Sequence, residues 1–182
     1  ERDWSKLAYQ FGHELGHVLA NSWARDAKPT AGSQWLEEAL VETFSLRGLG
    51  LLATSWQRAP PFASDAPFGA EIRRYCDNQL QAYAAYATAE GIAADPPAWF
   101  RRRRPLLEGK GGLGEPGTAT IPFLLDKLSA DSSHVAELGA LNRWPERTAL
   151  PLEGYLAAWE RSCRQLGAAG AMPKDIRARF SL

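Results

Sequence analysis

The sequence predicts a mainly α-helical fold. Apolar residues recur at three- and four-residue spacing through most of the chain, which is the period of one helix face. No convincing alternating strand and no internal repeat is present, and stretches rich in turn-forming residues divide the chain into segments of helix length. At 182 residues the chain has the size of one domain. We therefore expect residues 1–182 to form a single helical domain, or the helical half of a larger α+β unit.

The helices follow from that period and from the breakers between them. The first predicted helix, 3–24, ends at the breaker stretch 25–33. The second begins near Ser33, a suitable N-cap, and ends at Gly48 or Gly50. Further helices are predicted over 70–92, 96–108, 118–130, 133–144 and 151–167, with loops at 58–69 and 109–117.

Composition excludes several classes of function. The formal net charge is zero, so no field over the whole chain attracts nucleic acid. No apolar run approaches the roughly 18 residues of a membrane span. The four arginines at 101–104 spread around a helix and form no stripe, which favours a solvated helix end or an acidic partner.

Compartment and oligomeric state stay open. Cys76 and Cys163 are compatible with one disulfide or with two buried thiols. A cytoplasmic and a periplasmic or secreted location are both compatible with the sequence. Its first residues lack a signal-peptide pattern and already read as helix, so we expect a segment to precede them.

The segment FGHELGH, residues 11–17, is the strongest chemical pattern. At 100° per residue His13 and His17 lie about 40° apart on one helix face, and Glu14 lies within about 100° of both. Two imidazoles on that face can reach one tetrahedral ion, and the carboxylate can approach a water on it. We expect the apolar side of this helix to pack into a core and the polar side to line a cleft. Gly12 and Gly16 weaken the helix, which suggests that another group comes close there.

The second helix carries the acidic residues that such a site needs. Glu38 and Glu42 are four residues apart and share a face with apolar residues, so both are expected to be buried beside a cation or a strong donor. Glu37 lies about 100° from Glu38 around the helix and is expected to point elsewhere, with little effect on the site.

HELGH followed by WLEEALVE resembles the gluzincin zinc peptidases, which include thermolysin and the aminopeptidase-N family. The resemblance implies that His13, His17 and Glu38 bind Zn²⁺ and that Glu14 is the general base. It also implies that Glu42 orients His13, as an acidic residue does in thermolysin relatives. The gap from His17 to Glu38 is one or two residues longer than usual, so Glu37 is the alternative ligand, and the neighbouring WLEEA favours Glu38.

The likeness is close over residues 5–49, thin over 114–165 and absent from 55–113. Gly117 matches a glycine of the aminopeptidase-N group, but Gly114 stands where that group has an oxyanion-stabilising tyrosine. Substitute donors are sought in His134 and Tyr155, with Tyr75, Tyr83 and Tyr86 as further candidates. The strand-rich lobe that precedes the zinc helix in these enzymes is missing from this chain.

The resemblance implies hydrolysis of a protein or peptide substrate by zinc-activated water, and it leaves endo- or exopeptidase preference open. Two alternatives stand beside it. One is a non-catalytic, zinc-stabilised helical domain that binds a partner. The other is a degenerate peptidase-like protein, which the missing tyrosine and missing lobe favour and the intact motif residues disfavour.

Overall fold

The computed structural model describes residues 3–23, 31–109, 111–144 and 150–182. Over these ranges the chain is mainly helical and contains no β-strand, so the predicted fold class is confirmed. The helices are α1 Trp4–Leu19, α2 Ala31–Arg58, α3 Phe68–Glu90, α4 Pro96–Gly109, α5 Gly114–Thr118, α6 Ile121–Ala130, α7 Ser133–Leu138, α8 Leu152–Gln165 and α9 Ala171–Phe180. A 3-10 turn, Ala63–Asp65, precedes α3.

Helix α2 is the central element, because α1, α3, α4, α5, α6 and α8 all pack against it. Its first half enters the main core through five fully buried side chains, Trp35, Leu36, Ala39, Leu40 and Val41. Its second half packs against α3 in a smaller cluster that contains Leu49, Ala53, Ile72 and Cys76. A helix that is buried on so many sides is stabilised by tertiary packing more than by its own propensity.

This packing explains why the predicted bounds of α2 are wrong. The helix continues through Gly48 and Gly50 to Arg58, since each glycine costs only about 1 kcal/mol in a helix interior and Leu46, Leu49 and Ala53 nearby are buried. Ser33 lies inside the helix, and its hydroxyl donates to the carbonyl of Leu150 at 3.3 Å. Helix α9 lies in a segment for which the sequence pattern predicts no helix, and α5 begins within the predicted glycine loop.

Helix α1 packs with the face opposite to the one that its hydrophobicity predicts. Its large apolar residues are exposed, with Phe11 67% accessible; the others are Trp4, Leu7, Leu15 and Val18. The contact with α2 is made by small residues instead. A Cβ atom on Gly12 would lie 2.9 Å from Ser45 Oγ, and one on Gly16 would lie 2.9 Å from Val41 Cβ. The two glycines therefore let α1 approach α2 closely, as their presence in the helix suggests.

The structure also bears on the cysteines, the arginine run and the question of a membrane span. Cys76 and Cys163 are both free and lie in different core clusters, so they do not pair. Arg103 binds Glu90 through two hydrogen bonds, and Arg104 binds Glu153 in the same way, so half of the arginine run has acidic partners within the chain. No helix in the described ranges combines the length and the apolar character that crossing a membrane requires.

Candidate metal centre

Two imidazoles from α1 and one carboxylate from α2 converge on a single point. The Nε2 atom of His13 lies 3.4 Å from Glu38 Oε2, and the Nε2 atom of His17 lies 3.5 Å from the same oxygen. Each of the three side chains offers one ligand atom, and these atoms all lie within 4.8 Å of one another. Among the described His, Cys, Asp and Glu residues, these three form the group that could hold a metal ion.

The local sequence explains this convergence. The four-residue spacing puts both rings on one side of α1, with their centroids 5.0 Å apart. Gly12 and Gly16 alternate with the histidines and bring that side of α1 against α2. Glu38 lies between Glu37 and the buried Ala39 on the contacting surface of α2, so its carboxylate reaches both rings.

The donor set and its spacing fit zinc. Nitrogen and oxygen ligands bind Zn²⁺ at about 2.0–2.2 Å, so ligand atoms at tetrahedral corners are roughly 3.3–3.6 Å apart. The two distances from the imidazoles to Glu38 fall in this range. Three protein ligands would leave one position of a tetrahedral ion for another molecule, which is the arrangement of catalytic zinc sites.

A buried carboxylate holds the outer nitrogen of His13. Glu42 Oε2 lies 3.0 Å from His13 Nδ1, the contact expected from its position four residues after Glu38. The other oxygen of Glu42 accepts a short hydrogen bond from the hydroxyl of Tyr83, which is also 3.3 Å from the hydroxyl of Tyr9. Burial raises the pKa of Glu42, and burial together with the carboxylate beside it raises that of Tyr83.

A second buried carboxylate holds His17, and it is Glu37. Its Oε1 atom lies 2.9 Å from His17 Nδ1, while its Oε2 atom accepts from the side-chain amide of Asn142 at 2.9 Å. The hydroxyl of Tyr155 donates to Asn142 Oδ1 at 2.7 Å. The expectation that Glu37 points away from the site is wrong, because the 100° step along α2 turns it behind His17 instead of into solvent.

Each histidine thus has its Nδ1 atom on a carboxylate of α2 and its Nε2 atom facing Glu38. A ring that gives its Nε2 lone pair to a metal keeps its proton on Nδ1, where Glu42 or Glu37 accepts a hydrogen bond from it. Carboxylate partners of this kind fix ring orientation in zinc sites.

The charges of the site are tightly coupled. Hydrogen bonding to Glu37, with a smaller contribution from Glu38, raises the pKa of His17 to about 9. Hydrogen bonding from His13, with a smaller contribution from His17, lowers the pKa of Glu38 to about 2. Without a metal, the site therefore holds a proton on His17 near neutral pH, which is positive charge at the place where a cation would bind.

The remaining candidates occupy different surroundings. Glu14 is exposed, and the described residues give its carboxylate no hydrogen bond or ion pair. Tyr155 is fully buried and belongs to the hydrogen-bonded chain behind Glu37. The ring of His134, at the start of α7, bonds the carbonyl of Lys127 on α6 at 2.6 Å. Tyr75 packs edge-on against Tyr9.

The sequence offers Glu37 only as the alternative metal ligand and gives no sign of its contact with His17, and it does not point to Asn142. The predicted helix 133–144 hides Asn142, whereas α7 ends at Leu138 and residues 139–142 form turns. Asn142 adopts a left-handed backbone conformation with φ 56°, which asparagine tolerates better than most residues. Its place beside Glu37, 105 positions earlier in the chain, leaves no short-range signal.

Comparison with known protein families, with curated proteins and with solved structures finds no match to this chain.

Proposed function

We propose that this protein is a zinc-dependent hydrolase that cleaves peptide bonds. The observation that carries the proposal is the convergence of His13 Nε2 and His17 Nε2 on one oxygen of Glu38 at the separation of tetrahedral zinc ligands. The exposed carboxylate of Glu14, one position after the first histidine, supplies the group that a purely structural zinc site does not need.

Glu14 is suited to act as the general base. It lies about 60° from His17 and 100° from His13 around α1, and about 180° from the midpoint of the glycine contact with α2. Its carboxylate therefore faces the solvent side of the ligand cluster, from which a substrate can approach. There it takes a proton from the attacking water as the water oxygen bonds to the carbonyl carbon, and it then delivers that proton to the leaving amine as the C–N bond breaks.

His13, His17 and Glu38 would hold the zinc ion, which, when bound, supplies Lewis acidity that polarises the substrate carbonyl and acidifies water. Glu42 and Glu37 fix the two imidazoles, so the ligands need no rearrangement when the ion arrives. Preorganised ligands of this kind reduce the free energy cost of assembling the site.

A second candidate function is a zinc-stabilised domain that binds another molecule without catalysis. The exposed apolar residues of α1 favour it, because contiguous apolar surface of this kind commonly marks an interaction site. The two functions differ in what they require of Glu14, which only the hydrolase uses.

Metal binding tests the ligand assignment. We expect one zinc per chain by elemental analysis, and near-complete loss of binding in Glu38→Ala as measured against a competing chelator. Glu14→Gln is the matched control, since it changes a neighbouring carboxylate that is not a ligand, and it should bind zinc like the wild type. Metal far below one equivalent after zinc dialysis of the wild type contradicts the proposal.

Hydrolysis tests the role of Glu14. The wild-type protein loaded with zinc should cleave members of a broad peptide library. In Glu14→Gln the rate of cleavage should fall by about 10²–10⁴-fold, the contribution of a general base. Cleavage at the wild-type rate by the glutamine variant refutes the mechanism. A zinc-bound wild type that cleaves nothing favours the binding domain.

A further inference from the structure

The turn between α7 and α8, residues 139–142, contacts both helices that form the metal centre. Asn142 is 2% exposed, and its side-chain nitrogen donates to Glu37 Oε2 at 2.9 Å. Since the carboxylate of Glu37 offers only acceptors, the NH₂ end of the amide must face it and the carbonyl end must face Tyr155. The hydroxyl of Tyr155 then donates to that carbonyl, at 2.7 Å. The amide of Asn142 is therefore held in one orientation.

A second asparagine ties the same turn to α1. The side-chain nitrogen of Asn21, two residues after α1 ends, lies 3.0 Å from the carbonyl oxygen of Gly139 and 2.8 Å from that of Leu141. Asn21 and Asn142 both have positive φ, 59° and 56°. Such conformations are strained for residues other than glycine and persist where the surrounding contacts determine them.

These contacts form one connected structure around His17. Asn21 joins the end of α1 to the turn, Asn142 joins the turn to Glu37 on α2, and Glu37 joins α2 back to the ring of His17 on α1. His13 lacks this arrangement, because its partner Glu42 is held instead by the hydroxyl of Tyr83 on α3, which lies 3.3 Å from the hydroxyl of Tyr9 on α1. The two ligands are thus positioned by different parts of the chain.

We propose that Asn142 and Asn21 are positioning residues of the metal centre, acting on His17 through Glu37. The proposal rests on the proposed function, since it assigns what holds one of the three ligands. Without the amide of Asn142, one oxygen of a buried carboxylate loses its donor, and an unsatisfied buried acceptor costs more than the lost bond itself. Glu37 then has reason to turn away from His17, and the imidazole loses its fixed direction.

Two substitutions of Asn142 separate its amide from its backbone. Asn142→Gly keeps the positive φ at no steric cost and removes the amide. Asn142→Asp keeps the shape but presents an oxygen to Glu37 where the wild type presents a donor. Tyr83→Phe is the matched control, because it removes a partly buried hydrogen bond to Glu42, the carboxylate that holds His13.

The readouts are zinc affinity against a chelator, the visible spectrum of the Co²⁺ form, and the downfield proton NMR signal of the His17 Nδ1–H in metal-free protein. At pH 8 both Asn142 variants should lose about 10–100-fold in zinc affinity, the range typical for groups that orient a metal ligand. Both should change the Co²⁺ spectrum and lose or shift the His17 signal while the His13 signal persists. Tyr83→Phe should affect the His13 signal instead.

Asn21→Gly gives a second variant should Asn142 prove essential for folding. It retains the positive φ and removes the contact to the turn, and we expect the same changes with smaller size. If the wild type binds zinc and both Asn142 variants match it in affinity and in the His17 signal, the positioning role is refuted and the zinc site stands. If the wild type binds no zinc, the proposed function fails, and the NMR signal still decides the role: its persistence in Asn142→Gly refutes it, and its loss supports it.

Discussion

The two faces of α1 differ in burial, and in the opposite way to the one that side-chain polarity suggests. The face against α2 carries Gly12, Gly16 and the two histidines, and the face towards solvent carries the large apolar side chains. Burial of apolar area does not explain why the first face packs against α2, since glycines bury little apolar area. Close approach of the helices explains it, because only small residues let two helix backbones come near enough for the histidines of α1 to contact three carboxylates of α2. The contact that builds the site is therefore made where hydrophobicity is lowest.

The charge of the metal-free site gives the largest expected effect on the buried face. The pKa of His17 is raised in the folded state from 6.5 to about 9, chiefly by Glu37. A raised pKa contributes stability that is fully present below the unfolded value of 6.5 and is lost as pH rises through about 9. At 1.36 kcal/mol per pKa unit the loss amounts to roughly 3 kcal/mol.

Chemical denaturation of the metal-free protein at pH 6 to pH 10 measures this loss. We expect the free energy of unfolding to fall over that range, and the fall to be smaller in Glu37→Gln, which lacks the carboxylate with the largest influence on His17. Zinc must displace the same proton, so its apparent affinity should rise about tenfold per pH unit below pH 9. A flat stability profile in the wild type contradicts the ion pair between His17 and Glu37.

Next in size is the effect of filling the glycine contact. In Gly16→Ala the new methyl group would lie 2.9 Å from Val41 Cβ and 3.2 Å from Val41 Cα, so the backbones must separate. Overpacking of this kind costs about 1–3 kcal/mol. Because the separation moves His17 relative to Glu38, zinc affinity should fall as well.

Gly48→Ala is the matched control for that prediction. Gly48 also lies inside a helix, but a Cβ atom there meets nothing within 4 Å. Alanine should stabilise that position by about 0.5–1 kcal/mol through helix propensity, with no change in zinc binding. Thermal or denaturant unfolding of the two variants compares them directly, and equal responses rule out the close approach at Gly16.

These contrasts also define what the sequence can predict. His13 with His17, and Glu38 with Glu42, are related by helical spacing within one element, so their shared faces follow from local geometry. Which face of α1 is buried follows from the fit of Gly12 and Gly16 against α2 and not from the hydrophobic pattern of α1. The role of Asn142 depends on its contact with Glu37, 105 positions earlier in the chain, and no periodicity in the sequence predicts such a contact.

The bounds of the helices show the same division. Helix α2 continues through its glycines because packing on several sides outweighs their low helix propensity. The sequence of one helix does not reveal how other helices pack against it. Helix α9 was missed in a segment of low hydrophobicity, although Pro173 stands in its first turn. A proline near the first helical position is a helix-start signal that local reasoning can use.

The smallest effect is expected on the exposed face of α1. Phe11→Ser removes a large apolar side chain that is 67% accessible, so most of its surface already contacts solvent in the folded state. Substitutions at such positions usually change stability by less than about 0.5 kcal/mol. Because Phe11 lies about 120° around the helix from His17 and 160° from His13, zinc affinity should be unchanged. Denaturant unfolding and chelator competition, run beside Gly16→Ala, measure both quantities. A loss of 2 kcal/mol or more would mean that this face is covered in solution. The two faces of α1 would then differ in what they pack against and not in their exposure to solvent.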